Sequence, residues 1–162
     1  MKGVYLYSSH RADKAIDAAN AGLAINPNFG SLRAVRGVAN LFDGRFEQAK
    51  SDLVQSQRLS PRDPLTAFRT KYLGDAELGL GHFDAAIDDY HKAIDLGFSS
   101  VWSYASLTAA YALSGRMDEA KSALAEAQRL EPKLTGVKWL TQFAPPIPNL
   151  FEGLRKAGLA EE

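Results

Sequence analysis

From Val101 to Leu134 the apolar residues fall into two runs of helical spacing, separated by a polar break at Ser114, Gly115 and Arg116. Tyr104, Leu107 and Tyr111 recur at intervals of three and four, which places them on one stripe of a helix from about Val101 to Ser114. Ala120, Leu124 and Ala127 do the same on a second helix from about Met117 to Leu130. The two alanines keep that helix thin where it faces the first, and Leu107, Tyr111 and Leu124 fill the space beside them. Gly115 can take the left-handed conformation that ends a helix, and Pro132 stops the second one. The pattern predicts an antiparallel helix pair. One pair cannot bury its apolar faces alone, so stacked neighbours are expected.

Such neighbours are visible upstream. Gly81, Ala86 and Ala93 each lie 34 residues before Gly115, Ala120 and Ala127. In this unit, residues 67–100, Leu73 and Gly74 occupy repeat positions 7 and 8, Tyr90 takes position 24, Glu77 replaces the aromatic residue of position 11, and Phe98 replaces the terminal proline. The unit before it, residues 30–63, keeps Gly37, Gly44, Ala49, Leu53 and Pro61 in register. Three residues, Pro64, Leu65 and Thr66, are inserted after it. The run from Ser60 to Pro64 reads as a turn that starts a helix, and the insertion is expected to add about one turn to that helix.

Ala15 and Pro27 stand 34 residues before Ala49 and Pro61. This places a partial unit at residues 1–29, with Met1 near repeat position 6 and His10 at the turn between its two helices. Its first helix would lack an opening turn. The exposed face of the stack would then belong to a fragment of a longer chain, or would meet a partner or a second copy. Beyond Leu134 the period fades. Val137, Leu140, Thr141 and Phe143 share a stripe of a short helix, the prolines at 145, 146 and 148 enforce an extended turn, and Leu150 to Ala157 predicts a last short helix. Residues 135–162 therefore read as capping helices, with Glu152, Arg155 and Lys156 on the polar face.

A helix-turn-helix unit of this length, with small or aromatic residues at these positions, resembles the tetratricopeptide repeat (TPR) superfamily over residues 1–134. The resemblance implies an all-α, right-handed superhelical solenoid. Arg33 and Arg36 depart from it, standing where the superfamily places an aromatic residue and Leu. A narrower resemblance joins Arg58–Leu65 (RLSPRDPL), the segment LGDAELGLGHFDAAIDDYHKAIDL and the ending LFEGLRKAGLAEE. These are similar to the TPR region that follows the catalytic domain in bacterial class III adenylate cyclases and related signalling proteins. The sequence contains no cyclase motif, so this second resemblance implies a regulatory or scaffolding segment and transfers no catalytic residue.

Nineteen basic residues balance nineteen acidic ones, spread along the chain. That distribution offers no electrostatic footprint for nucleic acid or for an anionic membrane. Without cysteine there is no disulfide framework, thiolate nucleophile or cysteine zinc site. Residues 1–14 have an apolar run too short for a signal peptide, and no stretch reaches membrane-spanning length. A cytoplasmic protein is expected.

The resemblance also implies where a ligand would sit. In TPR folds the first helices of the units line a concave surface through positions 2, 5, 9 and 12. Here these are Ser31, Ala34, Val38 and Leu41, then Phe68, Lys71, Asp75 and Leu78, then Trp102, Ala105, Ala109 and Ala112, with Tyr72 beside them. The candidate peptide-binding groove is therefore Ala34, Val38, Phe68, Lys71, Tyr72, Asp75, Trp102 and Ala109. It is apolar and aromatic with one charge pair, which suits hydrophobic capture of a peptide or helix of a partner protein, Lys71 and Asp75 setting its orientation. Position 9 carries Val38, Asp75 and Ala109, so the Lys and Asn clamp with which some relatives hold chaperone tails is not reproduced. Two other readings stand beside this one. Phe68, Tyr72 and Trp102 can equally bury against a neighbouring unit or receive the C-terminal helix of the same chain. The chain can also be a regulatory segment that self-associates through its incomplete first unit.

Enzyme chemistry finds little support. His10, His82 and His91 fall at turns and on a second helix with no metal-ligand spacing. Asp84, Asp88, Asp89 and Asp95 read as a solvated helix face, with Asp88 and Lys92 a favourable pair four residues apart. The glycines lie at helix ends and repeat positions, not in a phosphate-cradling loop. No catalytic residue, cofactor or metal is expected.

Overall fold

A computed structural model of the chain describes the backbone of residues 2–162 and the side chains from Arg11 onward. Nine helices follow one another within the described residues: α1 (Lys2–Ile25), α2 (Gly30–Phe42), α3 (Phe46–Leu59), α4 (Thr66–Gly79), α5 (Phe83–Asp95), α6 (Val101–Leu113), α7 (Met117–Leu130), α8 (Val137–Leu140) and α9 (Pro148–Lys156). Helices α2 and α3, α4 and α5, and α6 and α7 form the three antiparallel pairs, and α3 on α4 and α5 on α6 join them into a stack. Helix α1 packs on α2.

The turn inside each pair depends on a glycine that only a residue without Cβ occupies comfortably. Gly44, Gly81 and Gly115 have φ of 76, 79 and 85°. In the first unit His10 stands at the equivalent position, and there the expected turn is absent: α1 runs unbroken through residue 10. The half unit is thus one long helix, not a shortened helix followed by a second. Its physical cause is the missing glycine; the side chain of His10 lies outside the described residues.

Packing within the pairs follows the small residues. Ala49, Ala86, Ala93, Ala120 and Ala127 are all fully buried. Gly74 lies against Tyr90, where an added Cβ would come within 2.7 Å of the ring, so the glycine of position 8 makes room for the buried tyrosine of position 24. The three inserted residues do not lengthen the next helix by a turn. They close a turn on Asp63, whose carboxylate accepts from the Leu65 amide at 2.8 Å and from the Arg69 guanidinium at 2.7 Å, and α4 begins only at Thr66.

Arg33 and Arg36 are accommodated by an acid on the paired helix. The Arg36 guanidinium donates twice to Asp52, both at 2.7 Å, and Arg33 lies 3.7 Å from the same carboxylate. Asn40, in the place that Tyr111 takes in the last unit, completes this polar seam at 3.4 Å.

The C-terminal segment folds back along the stack. Val137 and Leu140 of α8 are buried, while Thr141 and Phe143, expected on the same helix, lie in the turn that follows it. The chain end returns beside α8, the Val137 and Lys138 amides donating to the Ala160 and Glu161 carbonyls at 2.8 and 3.1 Å. Helix α9 buries Leu150, Gly153 and Leu154 against α6 and reaches α4.

Candidate functional site

The first helices of the units, α2, α4 and α6, contact one another along the inner side of the stack. The eight residues expected in a single groove divide along this side into three environments.

At one end the surface is open. Helices α1, α2 and α4 enclose a groove of about 560 Å³, lined by Ala12 and Ala15, by Ala34, Val35, Val38 and Phe42, and by Leu65 and Phe68. Three of the expected residues, Ala34, Val38 and Phe68, meet here. The lining is apolar, and Leu65, Val35 and Phe68 are 57, 49 and 36 % exposed. Open apolar side chains grouped like this are a mark of an interaction surface. Arg69, one helical turn beyond Leu65, also lines the groove and is itself buried.

Next along the surface is a smaller pocket of about 190 Å³ between Phe42, Lys71, Tyr72, Phe98, Trp102 and the Phe143 to Pro145 turn. Phe42 lines both spaces. Phe68 bridges them, meeting Tyr72 edge-on at 4.6 Å and Phe98 at 5.8 Å between ring centroids. Trp102 is taken by the C-terminal segment: it stacks on Trp139 at 5.6 Å with Phe143 edge-on at 6.2 Å.

The charge pair lies beneath the surface. Lys71 Nζ donates to Asp75 at 2.5 Å, and both residues are buried. The other oxygen of Asp75 accepts from the Tyr90 hydroxyl at 3.0 Å and from Ser106 at 3.1 Å. Three donors from three helices therefore satisfy this carboxylate, and it ties α4 to α5 and α6. Burial, and then the charge of Asp75, push the Tyr72 phenol up to about 12, so Tyr72 stays neutral at the pocket wall.

Ala109 is fully buried beneath α9. A Cβ on Gly153 would lie 2.5 Å from its Cα, and Asn149 of α9 donates to the Leu78 carbonyl of α4 at 2.8 Å. At this end the groove is filled by the chain's own last helix. The all-alanine face of Ala105, Ala109 and Ala112 is what admits so close a neighbour, and in the sequence it is the signal that marks the occupied end. Val35, Phe42 and Leu65 escaped the sequence reading because they stand off the four groove positions.

Among the described residues no cluster of three or more His, Asp or Glu side chains is placed to hold a metal. His82 contacts Glu77 at 2.7 Å and His91 contacts the Tyr111 hydroxyl at 2.6 Å. None of the described helices is long and apolar enough to cross a membrane.

No protein-family model matches the chain. Solved structures do. A crystal structure of MamA covers 90 % of this chain and 86 % of its own at 23 % identity and a TM-score of 0.67. YrrB, described as a TPR protein with an unusual peptide-binding site, covers 94 % of this chain and 79 % of its own at 18 % identity and a TM-score of 0.65. Another MamA structure, MamA MSR-1 C2, matches 76 % of this chain and 69 % of its own at 24 % identity and a TM-score of 0.63. The fold is that of a TPR solenoid: three helix pairs and a leading helix, wound right-handed and closed by C-terminal helices.

Proposed function

We propose that the chain is a protein-interaction module, which holds a peptide or helix of a partner in the open groove between α1, α2 and α4. The observation that carries this reading is the division of the inner surface. One end of it is covered by α9, a helix that lays its apolar face onto α6. The other end presents a continuous apolar groove of about 560 Å³ with exposed Val35, Leu65 and Phe68. The chain's own helix is thus a template for what the surface accepts. Ala34, Val38 and Phe68 are the anchoring contacts in this reading, with Tyr72 and Lys71 bordering the adjoining pocket. The role is that of a scaffold and not of a catalyst, and the resemblance to regulatory repeats of signalling proteins fits such a role in the cytoplasm. YrrB, with its peptide-binding site, shares the fold.

The test compares wild type with Val38→Asp, which places a charge in the apolar groove without touching the buried pairs. Proteins captured from cells by the wild-type chain are identified, and their affinity for both chains is measured after confirming equal helicity and melting temperature. A partner that binds the wild type and is weakened at least tenfold by the substitution supports groove binding. Equal affinity for both chains removes it.

A second reading, self-association, rests on the outer end of α1. Ile25 and Phe29 are 89 and 47 % exposed there. A mass that rises with concentration and falls back to the monomer in Ile25→Asp, Phe29→Ser supports it. A monomeric mass at every concentration rejects it.

A further inference from the structure

The smaller pocket beside the groove is walled by rings. Phe42 of α2, Tyr72 of α4, Phe98 of the loop between α5 and α6, Trp102 of α6 and Phe143 of the turn after α8 surround about 190 Å³. The groove, by contrast, is lined chiefly by alanine and aliphatic side chains. The pocket has the volume of roughly six liquid waters. That is room for a small ring, whereas an α-helix, about 10–12 Å across with its side chains, does not enter it. Nor does it offer an ion a partner. Lys71 Nζ is bonded to Asp75 and lies 5.0 Å from the centroid of the Tyr72 ring, so a cation already occupies the place beside that ring. The Tyr72 phenol, pushed up to about 12 by burial and then by the charge of Asp75, keeps its proton.

We infer that this pocket takes a proline ring from an extended segment of a partner protein. The site is separate from the groove between α1, α2 and α4, and the inference does not depend on a ligand there. Aromatic faces are electron-rich, and the hydrogens on the carbons beside the proline nitrogen are electropositive, so an uncharged proline complements a wall of uncharged rings. Proline also lacks a backbone N–H, and therefore brings no donor that such a wall would leave unpaired. Proline-rich segments are extended before they bind, which lowers the cost of ordering them, and aromatic-lined surfaces are what they dock on. The chain supplies a precedent of its own. Pro145 lines this pocket and is buried, in the run from Ala144 to Pro148 that holds three prolines. Phe143 is 59 % exposed, so solvent reaches the wall it forms. The protonated Tyr72 hydroxyl is a donor for a carbonyl of the bound segment. A methylated lysine, the other common guest of aromatic walls, would bring a second positive charge beside Lys71.

The probes are two fluorophore-labelled, amidated peptides without charged side chains. One has four consecutive prolines flanked by Gly and Ser, and the other has alanine at those four places. Affinities are measured by fluorescence anisotropy for wild type, Phe143→Ala, Tyr72→Leu and Val38→Asp, with melting curves to confirm folding, and the Trp102 indole N–H resonance is followed by NMR. The expected result is that wild type prefers the proline peptide by about tenfold, with a shift of the Trp102 signal. Phe143→Ala and Tyr72→Leu should each lose most of that preference, and Val38→Asp should keep it. Phe143 is exposed, so its variant tests the pocket even where Tyr72→Leu is destabilised. Equal affinity of wild type for the two peptides, or binding of neither, overturns the inference and leaves the groove reading to its own test. A preference that survives both pocket variants and is lost in Val38→Asp puts the proline in the groove and overturns the assignment to the pocket. A third peptide carries one trimethyllysine in place of the prolines; if it binds as tightly as the proline peptide, the argument for an uncharged guest is wrong.

Discussion

Gly153 of α9 rests on the backbone of Ala109 in α6, so close that a Cβ at Gly153 would lie 2.5 Å from both the Ala109 Cα and its carbonyl oxygen. The contact is backbone against backbone, and no rotamer change can relieve an added side chain. Gly153→Val should therefore lift α9 off α6 and withdraw Leu150, Leu154 and Ala157 from the core. The expected loss is about 3 kcal/mol, the range for losing several buried apolar side chains after partial relaxation. Urea unfolding measures it. A red shift of tryptophan emission should accompany it as the Trp102 and Trp139 stack loosens. A variant as stable as wild type would mean that α9 is not held there.

The seam of the second unit makes a separate prediction. Arg36 is the principal partner of Asp52, whose side chain is 6 % exposed. Arg36→Leu strands that carboxylate, with Arg33 at 3.7 Å as a partial substitute. It should cost about 2 kcal/mol, below the full cost of breaking a buried pair because of that substitute. Arg36→Leu with Asp52→Leu should regain most of the loss, since replacing both members leaves no buried charge without its partner. Urea midpoints of the single and double variants decide it.

These residues also show how far the sequence could be read. The three helix pairs were legible because their spacing follows from close packing: Ala86 and Ala120, or Gly81 and Gly115, recur wherever two helices must touch or a chain must turn. Arg33 and Arg36 looked like defects, since a positional pattern records residue types one at a time and Asp52 supplies the compensation sixteen residues later. The unbroken α1 was signalled by His10 in the place of Gly44 and its equivalents, a departure visible in the sequence but outweighed by the alignment of Ala15 and Pro27. The groove was legible as a surface and not as a divided one. Positions 2, 5, 9 and 12 say which side of a helix faces inward. They do not say that α9 will cover Ala109, or that Lys71 and Asp75 will close on each other.

Asp89 gives the stack a pH dependence. Burial, then the charges of Glu77 and Asp88, against the opposing pull of Lys92 and Lys50, push its carboxyl from 3.8 up to about 6. The folded state thus holds the Asp89 proton more tightly than the unfolded chain does. The contribution to stability is fully present below about 4 and is lost as pH rises through about 6. Asp89→Asn removes the ionised form's penalty. It should raise stability at pH 7.5 by about 1 kcal/mol, discounted for the partial solvation of the site, and leave it nearly unchanged at pH 4. Thermal melts of both proteins across that range test the sign. A substitution that destabilises at pH 7.5 would show Asp89 to be a net contributor when charged.

Lys71 and Asp75 separate two meanings of a charge beside a groove. A lysine that orients a ligand is replaceable without loss of the fold, whereas one that neutralises a fully buried acid is not. Asp75 has two further donors in Tyr90 and Ser106, but both are neutral hydroxyls, and Lys71 is the cation bonded to it. Lys71→Met should therefore cost about 3 kcal/mol at neutral pH, as expected when one member of a buried pair is removed. Affinity of the groove for a partner, measured where the variant remains folded, should change less than twofold, because Ala34, Val38 and Phe68 are untouched. If stability is unchanged and affinity falls tenfold, Lys71 reaches the ligand directly and the buried pair is not what holds α4, α5 and α6 together.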